Sequence, residues 1–319
     1  MITLLTTPEN GHGRDSEPPA AVDELLYLTG RPTLKQFLRF VSSEAVNAEA
    51  EGSLVVKWHA ARDVVTSLDE SESGLADGPC IVELGPEYDP LLMEFLKDPI
   101  QRENFNTVPT EIALVELDSL VVYQKHIDLA YAARLECELG AAPSRERIFR
   151  ACLPYDHPRP PVKWSRVNSG TYVFVSPSSD LRFLGAVPLT DDQLTGCPAL
   201  GDVVSCIGLA VGFGSNFMNA IYAENRLILN NGSHRAFALR KMGFTHAPCI
   251  VQHVPSRDAL EVVACEEIRS DPDLYLKHRR PPMLRDYFDS RLHTVFPFRR
   301  RLQQITVHFE TAEANVPAF

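Results

Sequence analysis

No stretch of this chain approaches the roughly 18 consecutive apolar residues that a bilayer-crossing helix requires, so the sequence reads without a membrane span. Its opening residues, MITLLTTPENGHGRDSEPP, hold neither a basic leader nor an apolar h-region, which is not the pattern of a secretory signal. None of the seven cysteines stands in a C-x-x-C pair, the short spacing that thiolate zinc sites want. Odd in number and scattered (Cys80, Cys137, Cys152, Cys197, Cys206, Cys249, Cys265), they read as small buried thiols in a reducing compartment. Positive charge is also short. Against 42 acidic residues stand 31 Lys and Arg, a net of −11, which argues against a surface that binds nucleic acid throughout. What remains is ordinary globular composition, 45% hydrophobic and 23% charged over 319 residues. That length suits one large domain or two modest ones with a sizeable core. The expectation is a cytoplasmic protein.

Residues 1–20 are rich in Thr, Pro, Gly and acids and lack periodicity, the mark of a loose tail. The region 21–106 reads as mostly helical. Thr33-Leu34-Lys35-Gln36 is a capping box, followed by Leu34, Phe37, Leu38, Val41 and Ala45 at helical spacing. A second helix is predicted from Leu54 to Leu68, and a short one from Pro90 to Lys97 opened by its proline. His59 and Asp63, four apart, read as a surface pair rather than as metal ligands. From Thr107 the pattern turns to extended structure, then to a helix over Ile127–Leu139. A proline-rich connecting loop, including YDHPRPPVKW, is expected over 140–165, with strands at Thr171–Val175 and Val203–Val211. A helix is expected over Ser256–Arg269.

The most ordered pattern is FMNAIYAENRLILNNGSHRAFALRKMGFTHAPCIVQHV, from Phe217 to Val254. Two strand-like runs flank Ala223-Glu224-Asn225 as a hairpin. The turn Asn230-Asn231-Gly232-Ser233 opens a helix that stops near Gly243, and a strand resumes at Pro248. A turn feeding a helix N-terminus aims several unpaired amides at one point, and the helix dipole adds positive charge there. Gly232 permits close backbone approach, and Ser233 can cap or donate. His234 can donate or act as an acid–base group, Arg235 can grip phosphate bidentately, and Asn231 can orient a ligand. Asn231, Gly232, Ser233, His234 and Arg235 are therefore the candidate phosphate- or nucleotide-binding residues, with His234 and Arg235 as the catalytic candidates.

This order, strand, N-G-S-H-R-A, A-L-R, glycine, P-C-I-V, resembles the ParB/sulfiredoxin-type nucleotide-binding fold, in which a G-x-[HR]-R turn opens the phosphate-binding helix. VELDSLVVYQKHID is similar to the opening strand and loop of that fold. The resemblance covers about residues 108–136 and 203–268. It implies an α+β fold with a mixed-sheet core over 107–268, an insertion at about 140–202, and phosphate contacts from Gly232, Ser233, His234 and Arg235. It also implies a nucleotide (ATP, ADP or CTP) with Mg2+ as the ligand. Sulfiredoxins place a cysteine where this chain has Ser233, which removes sulfinic acid reduction. The free-serine kinases of the fold carry Asp where Asn231 stands and use Glu where Gln124 falls, and an amide is no general base. No helix-turn-helix of the chromosome-partitioning type is visible. Gln124, His126, Asp128 and Glu224 are further pocket candidates. The functional expectation is binding of a small phosphorylated ligand, with phosphoryl transfer or nucleotide hydrolysis. The alternative is a non-catalytic, ligand-sensing or partner-binding regulatory protein, with self-association left open.

The C-terminal region 269–319 reads as a basic, aromatic extension. Between Arg269 and Arg301 lie nine Lys or Arg and four Asp, so this stretch carries +5 on a chain of net −11. Arginine mixed with Tyr275, Tyr287, Phe288, Phe296 and Phe298 can grip anionic ligands. It can equally pack a basic tail onto an acidic body, which is the preferred reading.

Overall fold

The computed structural model describes residues 22–47, 49–157, 159–178, 180–190, 193 and 203–316; the tail expected over 1–20 lies outside them, as does Cys197. β1 (Val22–Leu28) comes first, followed by α1 (Leu34–Glu44) and α2 (Glu51–Ser71). Next come β2 (Ile81–Glu83), α3 (Asp89–Phe95), α4 (Pro99–Asn104), β3 (Thr110–Glu116), β4 (Val121–Val122), β5 (His126–Asp128) and α5 (Leu129–Leu139). α6 (Arg145–Cys152) leads to β6 (Lys163–Asn168), β7 (Thr171–Ser176), β8 (Leu181–Leu189) and β9 (Cys206–Phe213). The hairpin β10 (Asn219–Ala223) and β11 (Arg226–Asn231) precedes α7 (Ser233–Lys241) and β12 (His246–His253). Three short helices, α8 (Arg257–Val263), α9 (Glu266–Ser270) and α10 (Pro272–Leu276), lead to β13 (His293–Arg299) and β14 (Gln303–His308). The architecture is mixed α+β.

The central element is a six-stranded mixed sheet in the order β2-β3-β12-β10-β11-β4. β12 pairs parallel to β10 and antiparallel to β3, and β11 runs parallel to β4. One face carries the largest core cluster, in which Leu227 and Leu229 of β11 meet Ala236, Phe237, Ala238 and Leu239 of α7 and Phe149 of α6. The opposite face buries Ile221 and Ile228 against Leu260, Ile268, Tyr275 and Leu276 of the three short helices. Six of the nine residues of α7 are buried, and the polar Ser233 and Arg235 are among them. A second, three-stranded sheet in the order β13-β1-β5 supports α1 and α2 through Tyr27, Phe37, Val41, Leu54 and Phe296. No helix among the described residues is long and apolar enough to cross a membrane.

Several local readings change in three dimensions. The predicted helical character of 21–106 starts too early. Val22–Leu28 is a strand with four successive buried residues, hidden from a period-two reading because both its faces are covered, Leu26 and Leu28 entering one core cluster and Tyr27 another. The expected loop over 140–165 contains α6, whose Ser144 hydroxyl accepts from the Arg147 amide at 3.3 Å. The helix expected from Ile127 begins at Leu129, because Asp128 caps it by accepting from the Tyr131 amide. Ser256–Arg269 is two helices, interrupted at Ala264 and Cys265. Cys152 and Cys249 are buried as expected, whereas Cys80 and Cys137 are exposed. His59 and Asp63 are exposed on α2.

The basic C-terminal region is woven into the body. β13 pairs with β1 and β14 pairs with β7. Arg280 is 1% exposed, donating to Asp286 from both Nη1 and Nη2 and from Nε to Glu72, the residue just after α2. Arg31, just after β1, shares Asp286 and also faces Asp69 of α2. Arg300 and Arg301 reach Asp23 and Glu44. Cations of the C-terminal stretch thus answer acids of the N-terminal stretch.

Candidate functional site

The glycine turn forms where the sequence places it. Glu224 and Asn225 adopt φ of 47° and 65°, closing the hairpin, and Gly232 sits at φ 102°. A Cβ at Gly232 would stand 3.0–3.2 Å from Met218, so both the dihedral and the space require glycine. α7 then begins without a side-chain cap. The Ala236 amide closes the first turn on the Gly232 carbonyl, and among the described residues the amides of Ser233, His234 and Arg235 have no partner. The Ser233 hydroxyl, in a residue 8% exposed, has none there either.

Arg235 points inward rather than out at the turn. Its Nη1 donates to the carbonyls of Ala151, Cys152 and Asn216 at 3.3, 3.1 and 2.6 Å, and its Nη2 donates to Asn216 Oδ1 at 3.0 Å. These acceptors are neutral, and the described residues give this guanidinium no carboxylate partner. Burial lowers its pKa from the ordinary value. The cation is therefore buried against the C-terminal carbonyls of α6, whose dipole partly offsets it, with no carboxylate within salt-bridge distance among the described residues.

His234 is held by the end of β5. The Asp128 amide donates to its Nε2 at 3.0 Å, which places the ring proton on Nδ1. Tyr131 meets the ring edge-on at 5.2 Å. Burial, with His126 next in size, pushes the His234 pKa down to about 4. Burial likewise lowers His126, whose ring lies 5.5 Å from Phe40. Both imidazoles are neutral at pH 7, so His234 offers a fixed donor rather than an acid–base group.

The other predicted residues divide. Gln124, His126 and Asp128 lie on the strand and loop that contact His234, with the Gln124 amide 3.5 Å from His126 Nε2. The Asp128 carboxylate caps α5. Asn231 donates to the Ser215 carbonyl at 3.3 Å. Glu224 is not brought to the site. It caps the far end of the hairpin, opposite Asn231, and pairs with Arg257 at 2.6 Å. Sequence reasoning missed Asn216, which shares Arg235, and Asn219, which is 4% exposed and leaves Oδ1 without a partner. Asn219 lies across the ladder from Asn231, a pairing that the hairpin register makes visible once its turn is fixed. Two clefts open at the other end of α7, both lined by Arg240. No family model matches the chain, and neither does any curated protein or solved structure.

Proposed function

We propose that the chain binds a nucleotide or another phosphorylated small molecule at the turn Asn231–Arg235 and acts as a sensor of that ligand. The observation that carries this reading is the open start of α7, where the amides of Ser233, His234 and Arg235 and the Ser233 hydroxyl have no partner among the described residues. A phosphate there would satisfy these donors and the helix dipole, and the buried charge of Arg235 in the same turn adds to the attraction. His234 Nδ1 supplies a further donor. The resemblance to ParB/sulfiredoxin-like cores supports the same reading through its order of hairpin, glycine turn, helix and strand.

Binding without phosphoryl transfer is favoured by His234 itself. Its Nε2 lone pair is engaged by the Asp128 amide, and it titrates far below neutrality. Mg2+ would have to be carried by the ligand's own phosphates. Asp128 is committed to capping α5, and the described residues hold no group of three His, Cys, Asp or Glu suited to a metal. The donor set does not fit a resident Mg2+.

Thermal shift with ATP, ADP, CTP and GTP, each with and without Mg2+, tests the site. At least one nucleotide should raise the melting temperature by more than inorganic pyrophosphate does, and Ser233→Asp should abolish that excess. The aspartate suits a helix first turn, so folding is retained while the anion is repelled. No excess with any nucleotide, or an excess that survives Ser233→Asp, refutes the assignment.

A further inference from the structure

A cleft of about 430 Å3 lies between α2, the C-terminal end of α7 and segment 285–292. Its lining holds four arginines, Arg240, Arg280, Arg285 and Arg291, against three carboxylates, Glu72, Asp286 and Asp289. Arg280 is saturated by Asp286, Glu72 and the Pro281 carbonyl. Arg240 is fixed by two bonds to Asp118 and by stacking 4.5 Å over Phe288, whose other face meets Phe237 at 4.8 Å. Arg291 is fixed by Asp289 through Nε and Nη2. In both Arg240 and Arg291 these carboxylate bonds use Nε and Nη2, and Nη1 has no partner among the described residues. Arg285 is exposed and pairs with no carboxylate there.

We propose that this cleft is a second anion site, taking a small molecule that carries a phosphate or diphosphate group. Guanidinium edges offered from α7 by Arg240 and from segment 285–292 by Arg285 and Arg291 suit an anion with oxygens in several directions, which phosphate offers and a planar carboxylate does not. Arg285 supplies the excess charge, and Arg240 and Arg291 are pre-positioned, so ordering costs little on binding. The volume falls within the range of small-molecule sites. A bound phosphate would bridge α7 to the C-terminal segment packed on α2. This assignment is independent of the turn at Gly232, which opens the opposite end of the same helix.

Isothermal titration with inorganic pyrophosphate at constant ionic strength tests it, with citrate as the carboxylate arm. Wild type and Ser233→Asp should both bind pyrophosphate at this cleft, and citrate should bind more weakly. Arg285→Gln changes an exposed residue, so folding, checked by near-ultraviolet circular dichroism, should be unaffected. Added to Ser233→Asp, which closes the turn to anions, it should lower the affinity by about tenfold or more, the loss of one charge-assisted pair. The proposal is overturned if pyrophosphate does not bind, or if the Ser233→Asp/Arg285→Gln variant binds it as Ser233→Asp does. It is also overturned if Ser233→Asp alone removes binding, or if citrate binds as tightly as pyrophosphate.

Discussion

Replacing Asp286 with asparagine probes the ion network that joins both terminal regions of the chain to α2. Asp286 is 1% exposed. Its oxygens accept from Arg280 Nη2 at 2.5 Å, Arg280 Nη1 at 3.1 Å, Arg31 Nη2 at 3.3 Å and the Met283 amide at 3.0 Å. Asparagine preserves size but removes the charge and presents an N–H to cations. Arg280 would keep only the partly exposed Glu72, and Arg31 would keep Asp69 at 3.5 Å. Arg31 is already pushed below its ordinary pKa, first by burial and also by Arg280, with Asp286 opposing both. Breaking a buried pair from one side costs about 3–5 kcal/mol. That is a large share of the roughly 5–15 kcal/mol that holds a typical protein folded. Urea unfolding followed by circular dichroism should show such a loss for Asp286→Asn. The double variant Arg31→Met/Asp286→Asn should recover part of it, because one of two facing cations is gone. A loss under about 1 kcal/mol, or a double variant no better than the single, would refute the view that Asp286 neutralises this cluster.

Stability should also depend on pH through His234. Its folded pKa of about 4 lies below the ordinary 6.5, so protons bind the unfolded chain first and stability falls as pH drops from 6.5 towards 4. The full contribution is about 3 kcal/mol. His126 and His293, both lowered by burial, act in the same direction. Urea midpoints at pH 7.5, 5.5 and 4.5 should therefore fall less steeply for His234→Gln than for wild type, and parallel slopes would refute the assignment. Gly232→Ala should lose about 1–3 kcal/mol in the same assay, from the strained dihedral and the contact with Met218. Arg235→Lys should lose a further distinct amount, about 1.5–3 kcal/mol, since one ammonium cannot serve acceptors on α6 and at Asn216 together. An unchanged midpoint for Arg235→Lys would show that those bonds contribute nothing net.

The hairpin, the glycine turn and α7 were legible in the sequence because their signals are local. Glu224 and Asn225 take left-handed dihedrals, Gly232 needs one, and Gly243 at φ 94° ends the helix. The direction of Arg235 was not legible, since its acceptors lie 19 and 83 residues away along the chain. The same holds for β1, whose apolar run has no alternation, and for Arg280, a cation in a basic run that is one of the largest fully buried side chains. Glu224 fell within the right motif but at the wrong end of it, because a strand pair separates the turn at one end from the helix start at the other.

β1 has a consequence for biosynthesis. Thr29 and Thr294 share a 2.7 Å hydroxyl bond across 265 residues of chain, and β1 pairs with β13 along its full length. At a synthesis rate of about 5–20 residues per second, Leu25-Leu26-Tyr27-Leu28 waits roughly 13–53 s for that partner. During this interval an apolar strand edge is open to any other nascent chain. A strand whose partner is synthesised so late leaves the growing chain open to wrong pairing for most of its synthesis.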